Sequence, residues 1–260
     1  MPDDCPDALI RFAETLADAA GPVLRRHFRT PVAVDSKPDR TPVTIADRDS
    51  ESAMRSLIAR HFPAHGVVGE EHGTERGDAE YVWVLDPIDG TKAFITGKPM
   101  FGTLIALVRR GAPILGIIDQ PVLGERWVGA AGRPTTFKGA PCRTRACPRP
   151  ADAVLNATAP DMFTGGNAAA FARLGRTTRL TLYGGDCYAY GLLAAGFIDL
   201  VVEADLKPYD FCALVPVVLG AGGAMADWHG RPLTLGSDGR VIAAGDPQLL
   251  PRAVEALAAP

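Results

Sequence analysis

Apolar side chains recur at Leu9, Phe12, Leu16, Ala20 and Val23, the spacing of one helical face, and predict a helix over residues 7–29. Gly21-Pro22 falls inside it and is expected to kink or interrupt it. A second helix is expected from about Asp47 to Phe62, with Ala53, Met54, Leu57 and Ile58 turned inward. Short apolar runs follow. Gly66-Val67-Val68-Gly69 reads as a strand ending at Glu70-Glu71, and Tyr81-Val82-Trp83-Val84-Leu85 as a buried strand ending at Asp86. Further strands are expected at 101–110, 113–119 and 125–130. Arg110-Gly111-Ala112 joins the first two by a tight connection typical of antiparallel pairs.

The second half changes character. Residues 151–157 and 178–183 read as strands and 165–174 as a helix. Asp186 is expected to N-cap a helix running to about Ala195. A strand Phe197–Glu203, a helix from Asp210 to about Gly220, a strand Val241–Ala244 and a helix Pro247–Ala258 complete the pattern. The expectation is an antiparallel α+β part, residues 1–140, and an α/β part, residues 141–260, forming one compact unit. The junction falls in the Pro-, Gly-, Arg- and Thr-rich stretch Gly132–Pro150.

Composition narrows the classes. The chain has 260 residues and a net charge near −3, so no basic surface argues for nucleic acid. No apolar run reaches the roughly 18–20 residues of a membrane span. The acidic start Met1-Pro2-Asp3-Asp4-Cys5 lacks the apolar stretch of a secretory signal. Five cysteines, an odd number with no C-x-x-C, indicate neither a disulfide framework nor a zinc knuckle, and a reducing cytoplasm is expected. The five histidines are scattered; His61 and His65 have Pro63 between them and share no helix face. There is no G-x-S-x-G elbow and no P-loop.

The chemistry concentrates at Asp86-Pro87-Ile88-Asp89-Gly90-Thr91. Two carboxylates flank a Pro turn, which leaves the Ile88 carbonyl free to point the same way. Gly90-Thr91 opens a short helix whose free N–H groups suit a phosphate. Glu70-Glu71 ends a neighbouring strand, and Asp210 starts a later helix. Mg²⁺ prefers such all-oxygen sets. Taken singly, each has a plainer reading: Asp47 and Asp210 as helix N-caps, Glu70-Glu71 as a solvated turn, Asp-Gly as a bare turn.

Together they form a known pattern. Trp83-Val84-Leu85-Asp86-Pro87-Ile88-Asp89-Gly90-Thr91 resembles the signature of the inositol monophosphatase superfamily. Gly69-Glu70-Glu71, Thr44-Ile45-Ala46-Asp47 and Tyr209-Asp210 resemble three further motifs of that superfamily, in its order, and the resemblance spans about residues 7–245. It implies a layered αβαβα sandwich and a Mg²⁺-dependent phosphomonoesterase using two or three ions. By resemblance, Glu70, Asp86 and the Ile88 carbonyl hold a first ion, Asp86, Asp89 and Asp210 a second, and Glu70 and Asp47 a weaker third, near Lys37. Glu71 then lies outside the direct ligands. Gly90-Thr91 grips the phosphate, and the Thr91 hydroxyl helps position the attacking water. A homodimer is likewise implied.

The substrate signal is finer. Thr91-Lys92-Ala93-Phe94-Ile95-Thr96-Gly97, Tyr183-Gly184-Gly185-Asp186-Cys187-Tyr188-Ala189-Tyr190 and Val201-Val202-Glu203-Ala204-Asp205-Leu206-Lys207-Pro208-Tyr209-Asp210 resemble the bacterial histidinol-phosphatase branch. That implies L-histidinol phosphate as substrate, with Asp186 and Glu203 meeting its cationic organic part and Lys92 beside them. An Asp186 that merely caps its helix is the plainer alternative. An inositol, polyol or nucleotide phosphate, or a non-catalytic Mg²⁺-binding scaffold, are the competing functions.

Overall fold

The computed structural model describes residues 4–31, 33–36 and 42–258, so Lys37 lies outside the described residues. Helix α1 (Asp7–His27) runs through Pro22 without interruption. Pro22 lies on the exposed side, while Leu16, Ala17, Ala20 and Leu24 stay buried on both sides of it, so packing holds the helix across one missing hydrogen bond. Strands β1 (Val34–Ser36) and β2 (Pro42–Thr44) pair antiparallel and lead into helix α2 (Ile45–His61). Helix α2 starts earlier than expected. Thr44, not Asp47, is its N-cap, and Asp47 sits three residues on.

The first sheet takes β3 (Gly66–Gly69), β4 (Gly73–Glu75), β5 (Tyr81–Asp89), β6 (Gly102–Arg109), β7 (Ala112–Gln120), β8 (Glu125–Ala130), β9 (Thr136–Phe137) and β10 (Ala140–Pro141), with helix α3 (Thr91–Ile95) between β5 and β6. Its order is β10-β9-β8-β7-β6-β5-β3-β4. Its neighbours are antiparallel except β3 and β5, which run parallel with Gly69 opposite Leu85. Their carboxyl ends therefore finish side by side, and Glu70 comes to lie next to Asp86. The Pro87 turn expected after Leu85 is instead a bulge inside a longer strand: β5 shifts register between Asp86 and Asp89 and pairs again at Gly102. Pro87 has no N–H for the ladder, and the Asp86 carboxylate takes the Ile88 N–H at 2.9 Å.

The second sheet is built from β11 (Val154–Ala157), β12 (Leu180–Tyr183), β13 (Leu200–Glu203), β14 (Ala224–Asp227) and β15 (Val241–Ala244), in the order β12-β11-β13-β15-β14. The first three are parallel and the rest antiparallel, a mixed sheet. Its helices are α4 (Gly166–Thr177), α5 (Asp186–Ala194), α6 (Pro208–Phe211), α7 (Leu214–Gly220) and α8 (Leu249–Ala258). The expected Asp210–Gly220 helix is instead two short helices, with Cys212 and Ala213 between them still in right-handed helical conformation, and Pro216 offers no N–H to the Cys212 carbonyl. The expected strand from Phe197 begins only at Leu200, and Phe197 is exposed. Gly185, not Asp186, is the N-cap of α5.

Three apolar clusters set the layers. Helices α1 and α2 cover one face of the first sheet through Leu16, Met54, Trp83 and Leu107. Helices α5 and α7 fill the space between the sheets, with Val84 and Trp127 from one sheet and Val201 and Val241 from the other. Helices α4 and α8 cover the far face of the second sheet. This is the expected layered αβαβα sandwich.

Candidate active site

The predicted acids arrive from four directions. Oxygens of Asp86, Asp89 and Asp210 lie within 4.8 Å of one another. The Glu70 carboxyl is hydrogen-bonded to Asp86, and Asp47 lies within electrostatic range of Glu70. One main-chain amide holds one oxygen of each aspartate. Thr44 N–H donates to Asp47 Oδ2 at 2.8 Å, Ile88 N–H to Asp86 Oδ1 at 2.9 Å, Lys207 N–H to Asp210 Oδ2 at 2.6 Å, and Cys187 N–H to Asp89 Oδ2.

Burial first, then the crowding of like charge, raises these pKa values. Asp86 is pushed well above the carboxylate range by burial, Glu70, Asp89 and Asp210. Asp89 is pushed well up by burial, Asp186 and Asp210. Burial raises Asp210 to about 7, against the Lys207 N–H bond. Burial also raises Asp47, against its bonds to Thr44. Such a set calls for positive charge. The donors are all oxygen, as hard divalent cations require, and Asp47 Oδ1 is buried with no hydrogen-bond partner. The residues present therefore fit a divalent cation.

The turn after β5 carries the remaining predicted groups. Gly90 has φ 92°, and a Cβ there would lie 3.1 Å from both the Asp186 carboxylate and the Met100 carbonyl, so glycine is required. Thr91 Oγ1–H donates to the Ile88 carbonyl at 3.1 Å, which leaves that oxygen a second lone pair.

Asp186 and Glu203 line a cavity of about 120 Å³ with Asp89 and Asp210. Glu203 is held at both oxygens, by Thr158 N–H at 3.0 Å and Tyr190 O–H at 2.8 Å. Burial raises its pKa against those bonds. Asp186, with φ 42°, is raised to about 7 by burial and by Glu203, against the pull of Lys92. Asp186 and Thr158 also border a second cavity of about 710 Å³, lined by Lys92, Lys98, Asn156, Leu182, Tyr183 and Phe197 among others.

Sequence reading missed Thr158, Tyr190 and Glu51. Glu51 stands four residues after Asp47 and four before Arg55, an i, i+4 series that marks one helix face. Its carboxylate is fully buried and accepts from Glu71 N–H at 2.7 Å. Nothing in the sequence marked Thr158, and Tyr190 lay within the stretch that resembles the histidinol-phosphatase branch without a role of its own.

The model of the inositol monophosphatase family matches residues 6–259. The chain belongs to the inositol monophosphatase family. It is 50% identical to the bifunctional phosphatase IMPL2, chloroplastic, of Arabidopsis thaliana, over 96% of this chain and 75% of that protein. It is 34% identical to the histidinol-phosphatase of Mycobacterium tuberculosis, over 85% of this chain and 88% of that one. Its fold matches a solved inositol monophosphatase from Zymomonas mobilis with a TM-score of 0.90 and 51% identity, covering 96% of this chain and 98% of that one. Members of this family of phosphatases are generally metal-dependent, in keeping with the cluster of Asp86, Asp89 and Asp210. All five cysteines are free, and no described helix is long and apolar enough to cross a membrane.

Proposed function

We propose that this phosphatase hydrolyses L-histidinol phosphate, with Mg²⁺ held by Glu70, Asp86, Asp89, Asp210, Asp47 and the Ile88 carbonyl. When bound, two or three such ions supply the positive charge that neutralises phosphoryl oxygens and makes water more acidic. The protein does the positioning. Main-chain N–H groups of Gly90 and Thr91 take the phosphate. The Thr91 hydroxyl, steadied by the Ile88 carbonyl, orients the attacking water with Glu70 and Asp47. Residues 1–140 and 141–260 act as one catalytic unit, because Asp86 comes from the first part and Asp210 from the second.

The observation that carries the substrate reading is Asp186. It stands where the acidic cavity meets the larger, partly apolar one, with Glu203 lining the first and Lys92 the second. An organic group bearing an ammonium and an imidazole finds an acceptor, a buried negative charge and apolar walls there. Relatives named histidinol-phosphatase support it. The Zymomonas mobilis structure favours a second reading, an inositol phosphate. Phosphate release from histidinol phosphate and inositol-1-phosphate, with Mg²⁺ and with EDTA, separates them. Asp186→Ala is expected to lower kcat/KM on histidinol phosphate by about 10- to 100-fold, the worth of one charge-assisted bond, and to spare the polyol ester. Equal losses on both esters would end the recognition role, and no release from any ester would favour the scaffold.

A homodimer in a reducing cytoplasm belongs to the same reading. Exposed Leu180, Leu182 and Tyr183 of edge strand β12, with Phe197, supply an apolar surface for it. Sedimentation velocity tests the dimer.

A further inference from the structure

Glu51 has no part in the chemistry above, yet it is built into the site. Its Oε2 accepts the Glu71 N–H at 2.7 Å, and its Oε1 accepts the His72 N–H at 3.1 Å and Arg55 Nε–H at 2.7 Å. An isolated carboxylate would be too costly to bury; one that is paired and fully bonded is not. The two amides it grips are those directly after Glu70. The Glu70 N–H itself donates to the Leu85 carbonyl at 3.2 Å, one residue before Asp86. Three successive amides are thus fixed, and Glu70 keeps only side-chain freedom.

Gly69 shows how tight the clamp is. A Cβ at Gly69 would lie 2.0 Å from Glu51 Oε1. Arg55 extends the grip to the Gly73 carbonyl and to Glu75. Asp47, Glu51 and Arg55 follow one another at i, i+4 and i+8. One face of α2 therefore presents a carboxylate at its first turn and fixes the Glu70 loop with its second.

We propose that Glu51 is a positioning residue that sets the Glu70 carboxylate for divalent-cation binding without touching the cation. The inference rests on the metal-dependent reading, which wild-type binding tests by itself. Metal-free protein is titrated with Mg²⁺ in a calorimeter, for wild type, Glu51→Gln, Glu51→Ala, Gly69→Ala and the double variant Glu51→Ala/Gly69→Ala. Glu51→Gln is expected to keep its circular dichroism and to bind Mg²⁺ about 10- to 100-fold more weakly. High Mg²⁺ should restore turnover, with KM for the ester unchanged, which a merely structural defect would not allow. Gly69→Ala, which crowds the clamp from the other side, should weaken binding alike, yet add little once Glu51 is Ala. A folded Glu51→Gln or Gly69→Ala protein with wild-type affinity overturns the proposal. Wild type that binds no Mg²⁺ overturns the metal reading along with it.

Discussion

Without metal, the acidic cavity works against its own fold, and Asp210 measures by how much. Its pKa rises from 3.8 to about 7, through burial first and then Glu70 and Glu203. The folded protein keeps a proton there that the unfolded chain has already lost. Stability therefore falls as pH climbs from about 4 to about 7, opposite to the usual carboxylate. A shift of about three units at ~1.4 kcal/mol each sets a ceiling of about 4 kcal/mol. Asp210 is partly open to water and titrates together with its neighbours, so about half, ~2 kcal/mol, is the working figure. For 260 residues that is about 4 °C in Tm. Asp210→Asn deletes the charge and keeps an oxygen for the Lys207 N–H. Scanning calorimetry in EDTA should find this variant more stable than wild type at pH 8, with the gap narrowing towards pH 4–5. Burial lowers the His65 pKa, so His65 costs stability on acidification, but it does so in both proteins and cancels. Added Mg²⁺ should reverse the order by stabilising wild type alone. A metal-free variant no more stable than wild type at pH 8, or a gap that ignores pH, would refute the reasoning.

Two further substitutions probe the same site. Asp89→Asn, which removes a carboxylate pushed up in the same way, should be at least as stable as wild type in EDTA at pH 8 and should lose Mg²⁺-dependent turnover by about 100-fold or more, since cation stabilisation is worth several kcal/mol; near-normal phosphate release would disprove its ligand role. Gly90→Ala should cost about 1–2 kcal/mol, because a Cβ at φ 92° meets Asp186 and the Met100 carbonyl at 3.1 Å, and calorimetry would read it as a fall of a few degrees.

Legibility followed locality. Asp86 and Asp89 were readable because three residues of chain hold them together; Glu70 was singled out by resemblance, and the parallel pairing of β3 with β5 that brings it to Asp86 was not foreseen. Asp210 could be joined to them only by resemblance: nothing within its own segment says which strand end it will face. The prolines mark where local rules stop. Pro22 and Pro216 each remove one helical bond, yet α1 runs on through Pro22, while the stretch that holds Pro216 is broken into α6 and α7. The long buried stripe of α1 outweighs the loss; the four residues of α6 have no such stripe. Glu51 drew no reading, because the amides it holds lie twenty residues away, and amides leave no mark in a sequence.

Those amides explain how the cluster exists at all. Asp86, Asp89 and Asp210 repel one another and Asp47 repels Glu70, and a fold that merely crowded them would spread to let water in. Each aspartate is pinned through one oxygen by a main-chain N–H, and each N–H belongs to a different element: the start of α2, the bulge of β5, the start of α5 and the start of α6. Helix starts and bulges are where a backbone has N–H groups to spare. The arrangement leaves the second oxygen of each aspartate outside these main-chain bonds, and at Asp47 that oxygen is buried with no partner at all. The repulsion is thus built into the backbone, where side-chain motion cannot relieve it. A cation entering the cluster has little reorganisation to drive, so most of its binding energy goes into affinity.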